Sequence, residues 1–244
     1  MKQPKSLKTA SGGLVGALAI AGGTSAYGTI VPVGTPTDFV VSPGTASVSV
    51  NWDVNGDAVS DFTFNYRYPN AATQGVIWQA NFNPFTGLAA TNGTAGYMGP
   101  FIRYTTALPG GFSIGATLAN SGGGGANSWS TAAQTTLGSR YNSGGVPTYY
   151  GGLAAGALGA AHNAVNPGTP AFVGFRFNVG AQTFYGWVQL SVGPGSIDFI
   201  SAAYENAAGT AIPAGAIPEP SSLAMLALGA AGITGVLVNK RRRS

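Results

Sequence analysis

Oxygen-bearing side chains crowd one short stretch of the 244-residue chain, Asp53-Val54-Asn55-Gly56-Asp57-Ala58-Val59-Ser60-Asp61. Oxygens at the first, third, fifth and ninth positions of a tight loop can converge on a hard cation, and Ca²⁺ takes about six to eight such ligands. Asp53, Asn55, Asp57 and Asp61 are therefore candidate metal ligands. Three carboxylates so close together repel one another unless a cation or water screens them. A second reading stays open, because Asn55-Gly56 is a hairpin-turn signal and Asp side chains cap turns without any metal. A bound Ca²⁺ here would be structural, since an all-oxygen cage leaves neither an open coordination position nor a base.

The spacing resembles the Asp-x-Asn-x-Asp-Gly-x-x-Asp loops of calcium-binding β-proteins such as FG-GAP propeller repeats, and more loosely the first half of an EF-hand. That resemblance implies a fifth ligand, the backbone carbonyl of Val59. The chain departs from the pattern at Ala58, where those loops carry glycine. If the loop needs positive φ there, alanine costs about 1 kcal/mol. The late bidentate Glu of the EF-hand is also missing.

Catalytic constellations are poorly supplied. Outside the loop, the acids between residues 27 and 217 are Asp38, Asp198 and Glu205. Asp198 and Glu205 are seven apart, so on a regular strand they fall on opposite faces and cannot work as a glycosidase pair. A Ser-His-Asp triad would have to use His162, the single histidine, in a Gly- and Ala-rich stretch, and no nucleophile elbow is read along the chain. The body is expected not to be an enzyme.

Both ends read as export signals. Lys2, Lys5 and Lys8 precede a short apolar run, Leu14 to Ala21, and Thr24-Ser25-Ala26 offers a signal-peptidase site. At the other end Pro218-Glu219-Pro220 is followed by 16 apolar or small residues, Leu223 to Val238, and by Lys240, Arg241, Arg242 and Arg243. At about 1.5 Å per residue that span reaches about 24 Å, short of the roughly 30 Å hydrocarbon core, which suits a transient membrane helix held by a basic cytoplasmic stop. Motif, span and basic stop in this order resemble the PEP-CTERM signal of bacteria with an exosortase. The resemblance implies exosortase as a processing partner after signal peptidase, transient residence in the inner membrane, and a final place at the cell surface or in extracellular matrix.

The expected organisation is a signal peptide over 1–26, one ectodomain over 27–217 and a sorting signal over 218–244. Once both signals are set aside, four arginines and six acids remain, a net charge of −2, with no lysine. That excludes nucleic-acid binding, which calls for a basic face. The chain has no cysteine, so neither disulfides nor thiolate metal sites hold the fold.

Period-two alternation places the strands. Val48, Val50 and Trp52, then Phe62, Phe64, Tyr66 and Tyr68, then Val76, Trp78, Ala80 and Phe82 each put one apolar face toward a core. Phe101 to Thr106 is a weaker strand. Phe172 to Val179, Thr183 to Val192 and Ser196 to Tyr204 read as a three-stranded meander. Its middle run carries aromatics on both faces, which implies either a strand covered on both sides or an adhesive outer surface, and large apolar side chains are more often packed than displayed. Residues 119–170 lack periodicity and are expected to form long loops, with a short helix from Leu153 to Val165. The fold expected is all-β, a single antiparallel β-sandwich or jelly-roll-like domain. The stretch from Phe172 to Phe177, with Tyr185 to Leu190 and Ala203-Tyr204-Glu205, resembles a body region of PEP-CTERM proteins.

The function expected is structural or adhesive, with extracellular polysaccharide or biofilm as the association the resemblance implies. A dedicated carbohydrate-binding module with a defined glycan site is the alternative, and a secreted hydrolase stands third.

Overall fold

Strand-forming residues with one apolar face dominate the body, and in the computed structural model they assemble one extended sheet. Residues 28–68, 76–87, 91–98, 102–119, 127–132, 134–143, 146–154 and 165–217 are described. The expected signal peptide, the sorting tail with its membrane segment, His162 and most of the expected Leu153–Val165 helix lie outside them. Among the described residues there is no helix, and hence none long and apolar enough to cross a membrane.

Among the described residues fifteen strands run in chain order: β1 Ile30–Pro32, β2 Phe39–Val40, β3 Thr45–Trp52, β4 Phe62–Tyr68, β5 Val76–Pro84, β6 Gly93–Met98, β7 Arg103–Thr105, β8 Ser113–Ile114, β9 Ser128–Ser130, β10 Thr135–Ser143, β11 Val146–Tyr150, β12 Ala171–Val179, β13 Gln182–Gly193, β14 Ser196–Glu205 and β15 Ile212–Pro213. Thirteen of them share a sheet whose main path is β1-β14-β13-β12-β6-β7-β10-β5-β4-β3, and β8 and β15 make a small separate ribbon. Every pairing is antiparallel except β7 with β10.

The sheet curls so that its two ends face each other, which gives the all-β, sandwich-like architecture expected. Trp52 of β3 lies edge-on to Phe175 of β12 at 5.2 Å, and Phe64 of β4 meets Phe199 of β14 at 4.7 Å. Phe62, Phe64, Tyr66, Trp78, Ala80 and Phe82, the apolar half of the β4 and β5 alternation, are all fully buried in this core. Such offset and edge-on aromatic pairs add about 0.5–1.5 kcal/mol each beyond the area they bury.

The meander β12-β13-β14 forms as expected, and β13 is indeed covered on both faces. Val188, Leu190 and Val192 enter the main core, while Tyr185 and Trp187 enter a second cluster with Ile114, Ile212 and Ala203. The β8–β15 ribbon supplies Ile114 and Ile212 to that second cluster.

The stretch expected to be loops holds β9, β10 and β11, and β10 lies between β7 and β5 inside the sheet. Thr135, Thr136, Leu137 and Ser139 of β10 are all fully buried. A strand covered on both faces by small and hydroxyl side chains shows no apolar alternation.

Candidate functional site

The segment between β3 and β4 folds back on itself through its own carboxylates. Gly56 and Ala58 donate their backbone N–H groups to Asp53 Oδ1 and Oδ2 at 2.8 and 2.7 Å. The N–H of Asp57 reaches Asn55 Oδ1 at 3.1 Å, and that of Val59 reaches Asp57 Oδ1 at 2.8 Å. These are nested Asx turns, each closing one step of the loop. Ala58 takes φ +68°, the one positive φ outside glycine among the described residues. The loop thus requires the left-handed conformation that glycine adopts without cost.

Asp61 behaves differently from its neighbours. It is buried, and its Oδ2 accepts the Val54 N–H at 3.0 Å while Asn92 Nδ2 approaches Oδ1 at 3.5 Å. Burial, reinforced by the charges of Asp57 and Asp53, pushes its carboxyl up to about 6 against the pull of those hydrogen bonds. The structure therefore brings Asp53, Asn55 and Asp57 together in the exposed turn and commits the Asp61 carboxylate to the sheet. Among the described residues no three His, Cys, Asp or Glu side chains are grouped so as to hold a metal ion. The donors present are hard oxygens, the chemistry Ca²⁺ takes, and they number fewer than it prefers.

The other acids serve the backbone and nearby hydroxyls. Asp38 accepts the Phe199 N–H at 2.7 Å, Asp198 accepts the Ser191 hydroxyl at 3.0 Å, and Glu205 accepts the Ala207 N–H at 3.0 Å. The expectation that Asp198 and Glu205 face opposite ways needs correction. A register shift against β13 leaves Ile200 without a partner, so the alternation skips one residue. Ile197, Phe199, Ala202 and Tyr204 then share the main core, and Asp198 and Glu205 share the other face. Six effective steps still separate them by about 20 Å.

A Gly-x-Ser-x-Gly string does occur, at Gly111-Phe112-Ser113-Ile114-Gly115, contrary to the expectation of none. Ser113 pairs with Pro213 in the β8–β15 ribbon and no helix follows it, so the strand-turn-helix of a nucleophile elbow is absent there.

The polar half of the alternation forms a surface of its own. Ser49, Asn65 and Asn81 line up across β3, β4 and β5, with Asn51, Thr63 and Asn83 in the next row. Together with Arg67 and Gln134 several of these line an open groove of about 620 Å³. The clue was present: the same runs that placed the core also placed amides and hydroxyls at every second residue.

The tail decides the chain's destination. Residues 216–243 match the PEP-CTERM protein-sorting motif. The chain carries a PEP-CTERM sorting signal. Comparison with curated proteins and with solved structures finds no match. The PEP-CTERM motif marks the protein for export, for processing by exosortase and for the outer side of the cell. It spans Pro218, Glu219 and Pro220 and the basic stop from Lys240 to Arg243.

Proposed function

We propose that the processed protein is a structural or adhesive component of the cell surface or extracellular matrix, associated with polysaccharide or biofilm. One observation carries this reading. A PEP-CTERM tail is joined to an all-β body whose outer sheet face offers a 620 Å³ groove of amides and hydroxyls. Such groups exchange hydrogen bonds with sugar hydroxyls as readily as with water, which suits a matrix contact. In this reading the body is not an enzyme. The about 20 Å between Asp198 and Glu205 far exceeds the roughly 5–9.5 Å that glycoside hydrolysis uses.

Ca²⁺ belongs to the same proposal as a structural partner. Asp53, Asn55, Asp57 and the Val59 carbonyl would hold it, with Asp61 beneath as a buried negative charge. The nested turns that fold these three side chains back over the loop support it.

Co-sedimentation of the protein with the producer's own extracellular polysaccharide, in Ca²⁺ and in chelator, tests both parts. Saturable binding is expected, stronger in Ca²⁺. Absence of binding in either condition refutes the polysaccharide association, and equal binding in both removes Ca²⁺ from it.

A further inference from the structure

The groove on the outer face of β3, β4 and β5 is ordered like a grid. Strands lie about 4.8 Å apart and every second residue advances about 6.8 Å, so polar groups recur at those two spacings. Thr63, Asn65 and Arg67 alternate with Phe62, Phe64 and Tyr66, whose burial in the core fixes the first three outward. The grid is also held in place. Asn65 Nδ2 donates to Ser49 Oγ at 2.8 Å and Thr63 Oγ1 donates to Asn51 Oδ1 at 3.1 Å. Farther along the sheet, Gln79, Asn81 and Thr136 are buried and bonded to one another. Side chains already fixed lose little entropy when a ligand arrives.

Arg67 is the exception in this satisfied network. Its Nε is buried and meets no acceptor, and the guanidinium has no ion pair or hydrogen bond with any described residue. Its cross-strand partner is neutral Gln79. A partly desolvated cation without a counter-charge is costly, and a carboxylate is the planar acceptor that matches its fork. The opposite end of the groove has the reverse polarity. The Asp53–Asp61 loop joins β3 to β4 beside Trp52 and Phe62, about 17 Å along the strand from Arg67. An anion is thus drawn to one end and repelled from the other. Among the described residues no aromatic ring lines the groove, so recognition there runs through hydrogen bonds and charge.

We propose that this groove binds an acidic saccharide of the uronate class, its carboxylate on Arg67 and its hydroxyls on the amide and hydroxyl rows of Ser49, Asn65 and Asn83. This rests on the polysaccharide reading above and adds a defined site and a ligand class to it.

The test is calorimetric titration of the full chain in detergent with an oligogalacturonate and with its carboxyl-reduced neutral counterpart. The acidic oligomer is expected to bind at least about tenfold more tightly than the neutral one, the scale of one charge-assisted contact. Arg67→Ala should erase that preference, Arg67→Lys should retain part of it, and Asn65→Asp should abolish binding of the acidic oligomer. Equal affinity for both oligomers, or an unchanged preference in Arg67→Ala, overturns the proposal. The same variants in the co-sedimentation assay separate the two claims. If Arg67→Ala and wild type sediment alike with native polysaccharide, the groove assignment falls and the adhesive reading stands. If wild type sediments with no polysaccharide, both fall.

Discussion

At the residue scale, the loop between β3 and β4 holds a carboxyl that works against the fold at neutral pH. Asp61 is buried beside Asp57 and Asp53, and its folded value of about 6 lies above the ordinary 3.8. The folded state therefore favours the protonated form, so the stability this group contributes is complete below about 3.8 and is lost as pH rises to about 6. Chemical denaturation in chelator should show a downward slope in stability between those two values that Asp61→Asn flattens. An upward slope would show that the carboxylate is better served by its partners than its burial implies. Ala58 at φ +68° adds a smaller cost of about 1 kcal/mol relative to glycine. That conformation was legible from the loop pattern, because the position was recognised as one that normally takes glycine. The burial of Asp61 was not, since Asn92, which approaches it, is thirty-one residues away.

At the scale of elements, single polar contacts fasten one half of the curled sheet to the other. The Tyr66 hydroxyl donates to the Gly193 carbonyl at 2.8 Å and accepts the Gly195 N–H at 2.6 Å, so β4 grips the turn between β13 and β14. Burial holds that phenol protonated far above its usual range. Tyr66→Phe leaves two backbone groups without their partner and should cost about 2–4 kcal/mol, read as a lower denaturation midpoint with unchanged slope. A loss below about 0.5 kcal/mol would mean that water replaces the hydroxyl. The strands on either side of this contact were read correctly, because each carries its own alternation. β10 was not, because Thr135, Thr136 and Ser139 are buried as hydroxyls rather than as apolar side chains. The Ile200 bulge was equally invisible, since it is defined only against the register of β13.

At the scale of the whole molecule, the C-terminal sorting motif marks the protein for export. Exosortase processing predicts that intact mass of the native protein falls short of Met1 to Ser244 by the leader and by the sorting tail. Glu219→Ala should instead accumulate a species that keeps the tail in the membrane fraction. Recovery of the full-length mass from wild-type cells would refute processing. The tryptophans Trp52, Trp78 and Trp187 are all buried, so sugar stacking by exposed tryptophan, which a matrix role invites, is not available from these three. The outer face of β3, β4 and β5 offers hydrogen bonds and one arginine in its place.

Contiguous residues were enough to read the PEP-CTERM sorting signal, the all-β class and the turn-forming character of the Asp53–Asp61 loop, whereas the aromatics on both faces of β13 left its cover open. The first three rest on order, period and turn chemistry, which act locally. Only the packing of distant strands shows that β10 joins β5 to β7, that Asp198 and Glu205 share a face, and that Arg67 meets no counter-charge among the described residues. These depend on which distant strand lies alongside and in which register, and a one-residue shift there reverses every face.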